Sequence, residues 1–388
     1  MIYITVRQSP KYQQMSLDDF LFEVETKPQV VINPHISDTK AYEVRRVSDR
    51  FSQYFDIPEL IEKLKKFNVM YEPLRKQPRE KLYYTFHIPK KSGGLRRIDA
   101  PEAELMDALR ALKTIFEEDF KALYHTSAFA YVKGRCILDA VKRHTRNDSQ
   151  WYGKYDLSNF FGSTTLDYVL HMFSMIYPFS EVLKTRMGRE ELTKALELAF
   201  LNGGLPQGTP ISPLITNIMM IPIDFKLANG FRDLNGQRFT YTRYADDFIV
   251  SSRQDFNFRE VEKFIIDTLA EFEAPFSINT TKTRYGSRAG RNWNLGIMVN
   301  ADNKTTVGYK KKRQFQAMLS SYIMDKKNGK EWDRHDIQVM EGYRNYYRMI
   351  EGETIDKIVE HIANKFGVET VHGKNGVNLQ MIKDDLRV

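Results

Sequence analysis

The chain has 388 residues, of which 42% are hydrophobic and 28% charged, with a formal net charge of +8. That is enough for two or three packed lobes with real cores, and no apolar run reaches the length of a membrane span. A single cysteine, Cys136, excludes an internal disulfide framework and a cysteine-rich zinc site.

Cys136 is read as a small buried side chain. The first residues, Met1-Ile2-Tyr3-Ile4-Thr5-Val6-Arg7, lack the apolar run of a signal peptide, so a cytoplasmic location without a membrane partner is expected. The positive charge is a mild sign of a polyanionic partner. It is concentrated late in the chain. From Lys304 to Ile350 there are eleven Lys or Arg against five Asp or Glu, with Lys310-Lys311-Lys312-Arg313 in a row. A basic C-terminal lobe of this kind can clamp a nucleic-acid backbone.

Residues 1–80 are expected to form an N-terminal extension, mostly helical. Helical periodicity is visible at Leu60, Ile61, Leu64 and Phe67. Tyr83 to Ile88 reads as a strand, followed by a glycine turn at Gly93-Gly94 and a second strand through Arg96 and Ile98. Ala103 to Tyr124 has the spacing of one helix, with Leu105, Leu109, Leu112, Phe116 and Leu123 on its apolar face. A short strand is expected over 154–158 and a helix over 164–176. Ser212 reads as an N-cap with Pro213 in the first turn. Pro222 should interrupt that helix before Gly230 ends it. Arg238 to Tyr244 and Phe248 to Arg253 read as strands, and Asn257 with Glu260 as a capping box. Mixed helices and antiparallel strands place the chain in the α+β class.

Between those two strands stands Tyr244-Ala245-Asp246-Asp247. Two carboxylates at a turn pinned by its flanks repel each other, and a divalent cation would relieve the repulsion. Asp156, at the end of the earlier strand in Lys154-Tyr155-Asp156-Leu157, can join them if the strands are neighbours. Three converging carboxylates suit two Mg²⁺ ions, with Mn²⁺ as a substitute, in an in-line phosphoryl displacement.

These blocks resemble, in order, the motifs of bacterial reverse transcriptases, the group of retron, group II intron and phage-defence enzymes. Tyr244-Ala245-Asp246-Asp247 resembles the Tyr-x-Asp-Asp turn, and Asp156 with Phe160-Phe161 the first palm motif. Gly204-Leu205-Pro206-Gln207-Gly208 resembles the Pro-Gln-Gly loop. Ala128-Phe129-Ala130-Tyr131 with Gly134-Arg135 and His144 resembles the block before the first palm motif. Asn279-Thr280-Thr281-Lys282-Thr283 and Leu295-Gly296 resemble the Asn-x-x-Lys-Thr segment and the primer grip.

The resemblance implies a right-hand polymerase, with fingers and palm over 81–308 and a helical thumb and C-terminal tail over 309–388. It implies an RNA template, dNTP substrates and a cDNA product. Asp156, Asp246 and Asp247 would be catalytic metal ligands. Lys90, Arg96, Phe161 and Gln207 would bind the nucleotide, with Phe161 blocking a ribose 2′-hydroxyl. Lys282 could protonate the leaving pyrophosphate. Leu295, Gly296, Lys310, Lys311, Lys312, Arg313, Arg344 and Arg348 are the candidate nucleic-acid contacts.

About 80 residues follow Gly308, too few for a thumb and an RNase H domain together. The chain lacks the Asn-Ala-x-x-His element of retron enzymes, and it has Asn294-Leu295-Gly296 where their thumbs carry Val-Thr-Gly. Those departures separate it from retrons. The compact size and the missing His-Asn-His or zinc-type nuclease pattern favour a defence-associated enzyme copying a dedicated structured RNA, with an accessory protein or oligomer as further partners. A template-independent or protein-primed DNA polymerase, and a non-catalytic RNA-binding splicing helper, are the alternatives.

Overall fold

The computed structural model describes residues 56–386, apart from 91–92, 121–123, 291 and 374–375. The expectations for residues 1–55 and for Leu123 lie outside the described residues. What is described falls into two compact units. One takes the chain to residue 135 with 153–250 and 257–284; the other takes 136–152, 251–256 and 285 onward.

The first unit opens with α1 (Ile57–Met70), whose start is set by Asp56. That carboxylate accepts the Glu59 N–H at 3.0 Å, and Pro58 occupies the first turn. Leu60, Ile61, Leu64 and Phe67 are buried, as the periodicity requires. The short α2 (Glu72–Arg75) and a 3₁₀ turn lead to the hairpin β1 (Tyr83–Pro89) and β2 (Leu95–Pro101). These strands pair antiparallel from Tyr83 opposite Pro101 to Pro89 opposite Leu95. Next comes α3 (Ala103–Thr114), which does not run on to Tyr124: it loosens into a π-helical turn at Ile115–Asp119. Phe116 and Phe120 on this turn pack with Phe179, at ring-centroid separations of 5.3 and 4.6 Å. Large rings on the helix face reward a local widening that sets both against one partner.

After α4 (Ile137–Arg146), which belongs to the second unit, the chain enters β3 (Trp151–Asp156). It continues through α5 (Phe160–Ser163), α6 (Leu166–Phe173), α7 (Phe179–Lys184) and α8 (Arg186–Glu197). α6 is shorter than the helix expected over 164–176. Ser212 is not a cap but the first residue of α9 (Ser212–Met219). Ile211 holds the cap position without a side-chain bond, and the Thr209 hydroxyl takes the Ser212 N–H at 3.2 Å. Pro222 divides this helix from α10 (Ile221–Gly230), as its missing N–H demands. β4 (Thr240–Tyr244) and β5 (Asp247–Ser252) form the hairpin with Ala245-Asp246 at its tip, and β4, β5 and β3 lie side by side in that order. α11 (Phe258–Glu271) is capped by Asn257, whose amide also bonds Glu260 at 3.0 Å.

The second unit holds β6 (Arg284–Ser287) from its second residue, β7 (Asn292–Asn294), β8 (Ile297–Val299) and β9 (Thr305–Thr306). α12 (Tyr309–Lys327) and α13 (Arg334–Phe366) pack through Phe315, Leu319, Ile337, Met340 and Tyr347, all buried. The tail is not all helix. β10 (Thr370–Gly373) and β11 (Gly376–Leu379) form a hairpin before α14 (Gln380–Leu386). Cys136 is half-buried rather than buried: it stands before α4, its N–H donating to Asp139 at 2.8 Å.

His144, on α4, is fully enclosed. Its Nδ1 lies 2.5 Å from the Ser251 hydroxyl, which donates to Ser149 at 2.7 Å. Burial, helped by Arg143, pushes its pKa down to about 3. The folded state therefore favours neutral imidazole. The stability this contributes is present above the unfolded pKa of about 6.5 and is lost as pH falls from there toward 3. We expect His144→Gln to flatten the loss of stability between pH 7 and 5, measured by urea melts, by up to about 1.4 kcal/mol per pH unit.

Candidate active site

Asp156 ends β3, and the backbone around it is tied on both sides. The Leu157 N–H donates to the carbonyl of Asp246 at 3.0 Å. The Asn279 N–H donates to the carbonyl of Asp156 at 2.7 Å, and the Ser158 N–H to Ser277 at 2.8 Å. Thus the first acid sits beside the tip of the β4–β5 hairpin, with residues 277–279 along its other flank. Ala245 takes a left-handed backbone (φ 57°), uncommon for a residue with a Cβ and suited to a tight hairpin tip.

The acids carry the electrical signature of this crowding. Burial raises Asp246, and the charge of Asp156 adds to it. Asp247 is pushed up to about 7 by burial first, then by Asp246 and Asp156. Lys282, on the turn that follows Asn279, places its ammonium 2.9 Å from both Asp156 oxygens. Lys154 was not singled out from the sequence. Two residues before Asp156 on one strand, it shares that residue's side of the sheet. Burial lowers its ammonium to about 8, against the opposing pull of Asp247. The period-two rule applied to β3 would have found it.

Among the described residues no three acidic, histidine or cysteine side chains stand gathered as a ready-made metal cage. Both oxygens of Asp156 are bonded to Lys282 instead. The donor set still fits a hard divalent cation: carboxylate oxygens, raised by burial and by each other, with one exposed ammonium as the countercharge.

A family model described as "Reverse transcriptase (RNA-dependent DNA polymerase)" matches residues 88–316, more than half of the chain. The chain belongs to the reverse transcriptase family. The retron Ec73 reverse transcriptase of Escherichia coli is 32% identical over 212 residues, covering 52% of this chain and 64% of that protein. The retron Mx65 enzyme of Myxococcus xanthus is 28% identical over 294 residues, covering 73% and 65%. The retron Ec83 enzyme of Escherichia coli is 27% identical over 300 residues, covering 74% and 88%. The chain thus spans just under two thirds of the first two relatives. These similarities overturn the separation from retrons drawn from the two departing motifs. A telomerase from Candida tropicalis aligns over 73% of this chain and 58% of that one at 13% identity, with a TM-score of 0.42, too slight to carry an argument.

In the first unit the nucleotide-binding candidates converge in part. Phe161 is half-buried on α5, and its carbonyl accepts the Leu205 N–H at 3.0 Å. Gly204 lies so close to Gly162 that a Cβ would stand 2.2 Å from the Gly162 oxygen. Only glycine allows this approach, and it docks the Pro-Gln-Gly loop onto the turn bearing Phe161. Gln207 accepts the Asp99 N–H at 2.9 Å through its backbone, joining the same loop to β2. Lys90 and Arg96 are exposed on the β1–β2 hairpin, and the charge of Arg96 reaches Asp246.

Within the second unit, Leu295 and Gly296 form a two-residue turn between β7 and β8, both at positive φ (52° and 83°). Lys311 donates to the Gly296 carbonyl at 3.0 Å and lies 4.7 Å over the Trp293 ring. Lys312 pairs with Glu351 at 3.1 Å. Lys310 and Arg313 are exposed, Arg313 resting against Tyr309. Arg344 is not the surface cation expected: it is buried, bonded to Glu341 and to the Val377 carbonyl. Helical spacing put it on the face that packs against β11. Arg348 is half-buried and paired with Asp356 at 3.0 Å.

A carboxyl whose folded pKa is raised adds relative stability below its unfolded pKa and loses it as pH rises through the folded value. For Asp247 that loss runs from about 4 up through about 7. Millimolar Mg²⁺, by compensating the ionised form, should therefore raise the melting temperature more at pH 8 than at pH 6. We expect a difference on the order of 1–2 kcal/mol by thermal melts, absent in Asp247→Asn.

Proposed function

We propose that this chain is an RNA-directed DNA polymerase that extends a primer by copying an RNA template, a structured non-coding RNA, into cDNA. The observation that carries the reading is the hydrogen bond from Leu157 to Asp246, which sets Asp156 against the Asp-Asp turn. The reaction joins the primer 3′-oxygen to the α-phosphorus of a dNTP, breaks the bond to pyrophosphate and releases the hydroxyl proton. Asp156, Asp246 and Asp247 would hold magnesium, which lowers the pKa of the hydroxyl and neutralises the phosphates. Lys282 is largely exposed, on a flexible stem, and already at this site. It can leave Asp156 and give a proton or its charge to pyrophosphate.

Phe161 supports a deoxynucleotide product: the docked Pro-Gln-Gly loop holds its backbone carbonyl, and its ring, 5.5 Å from that of Phe160, would exclude a 2′-hydroxyl. Arg96 would meet the triphosphate. In the second unit, Lys310, Arg313 and the Leu295-Gly296 turn would contact the nucleic-acid backbone.

Primer extension on a defined RNA template with purified protein tests the reading. We expect templated, magnesium-dependent DNA synthesis that falls by about 1,000-fold in Asp246→Asn. Products whose sequence ignores the template would replace the reading with a template-independent polymerase. In the same assay Phe161→Ala should raise ribonucleotide incorporation relative to dNTP by about tenfold or more. An unchanged ratio would remove Phe161 from sugar selection.

A further inference from the structure

Beneath the catalytic turn lies a buried charge pair that the chemistry above leaves unused. Arg243 stands in β4, two positions before Ala245, and Asp224 lies in α10; both side chains are wholly enclosed. Nε of Arg243 donates to the two Asp224 oxygens at 2.9 and 3.1 Å, and Nη2 to Oδ2 at 2.7 Å. The Tyr241 hydroxyl donates to Oδ1 of the same carboxylate at 2.8 Å. The remaining nitrogen, Nη1, donates to Oδ1 of Asn217 at 3.1 Å and to the carbonyl of Ala245 at 3.2 Å. Asn217, from α9, donates in turn to the Ala130 carbonyl at 2.7 Å. The backbone of Arg243 is tied as well, to Ser127 at 2.7 Å and to Phe129 at 2.9 Å.

An enclosed ion pair is a poor source of stability beside an apolar core of equal volume, because both charges must be stripped of water. What an apolar core cannot supply is a donor aimed at the Ala245 carbonyl. That carbonyl shares one peptide plane with the N–H of Asp246, so a bond that fixes it also fixes the direction in which the Asp246 side chain leaves the backbone. Ala245 holds an uncommon left-handed backbone, so its peptide plane needs an outside restraint. A lysine could pair with Asp224, but it lacks the planar fork that also reaches Asn217 and Ala245.

We propose that Arg243, braced by Asp224, Tyr241 and Asn217, is a positioning residue that sets the Ala245–Asp246 peptide plane and through it the Asp246 carboxylate. The pair lends the turn geometry rather than charge, since the carboxylate of Asp224 already neutralises the guanidinium. This role rests on the polymerase reading of the same site.

The test compares wild type with the double variant Arg243→Met, Asp224→Leu, which removes the pair without stranding a lone buried charge, and with Arg243→Lys. Thermal melts with and without Mg²⁺ at pH 8, primer–template affinity, and kcat and KM for dNTP are measured for each. We expect both variants to fold and to bind primer–template as wild type does. We expect kcat to fall about 100-fold with KM little changed, and the Mg²⁺-induced rise in melting temperature to shrink. A folded double variant with the kcat and Mg²⁺ response of wild type would reduce the pair to a structural filler and overturn the proposal. If the double variant is not recovered folded, Arg243→Lys decides by the same split, and a wild-type kcat overturns it. Absence of extension by wild type would defeat the polymerase reading instead. The Mg²⁺-dependent melts would then still decide the positioning role, an unchanged rise in either variant overturning it.

Discussion

Backbone hydrogen bonds set the first acid, Asp156, beside the Asp246-Asp247 turn. Leu157 bonds the carbonyl of Asp246, and Asn279 bonds that of Asp156. Neither bond involves an acidic side chain. Of the three acids, burial and neighbouring charge raise Asp246 and Asp247, the latter to about 7. Lys282 offsets one of them with an exposed ammonium that a harder cation can displace.

The same economy governs the nucleotide side. Gly204 and Gly162 touch backbone to backbone, and Leu205 bonds the carbonyl of Phe161. One loop thereby fixes the backbone of Phe161 on one side. Through the bond between Asp99 and Gln207 it also joins the β1–β2 hairpin on the other. A change of one methyl group at Gly204 would meet a carbonyl oxygen, not a flexible side chain. Close backbone packing joins the loop, the turn bearing Phe161 and the β1–β2 hairpin into one framework.

The second unit shows why charge counts alone mislead. Its basic tract includes residues of quite different standing. Lys310 and Arg313 face solvent, Lys312 is occupied by Glu351, and Arg344 is enclosed against Glu341 and Val377. Arginine in a helix that packs on both sides serves the interior as readily as the surface. The retron enzymes to which this chain is similar make the same point about motifs. Two local departures did not outweigh likeness spread over some 300 residues.

The sequence by itself determined what depends on short-range rules. The amphipathic helices, the finger hairpin, the break at Pro222 and the strand–turn–strand around Asp246 follow from periodicity, proline chemistry and turn preference, because each concerns neighbours along the chain. The family could be read because its motifs keep fixed residues at fixed order. Only the tertiary structure decided the rest. It ended the helix at Thr114 in a π turn, moved the cap of α9 from Ser212 to Ile211, and added a hairpin to the tail. It enclosed Arg344 and set Arg243 beneath the turn. Each of these depends on which distant residue lies opposite. That is fixed by packing and by the need to pair every buried charge and donor, and neither is written in local spacing.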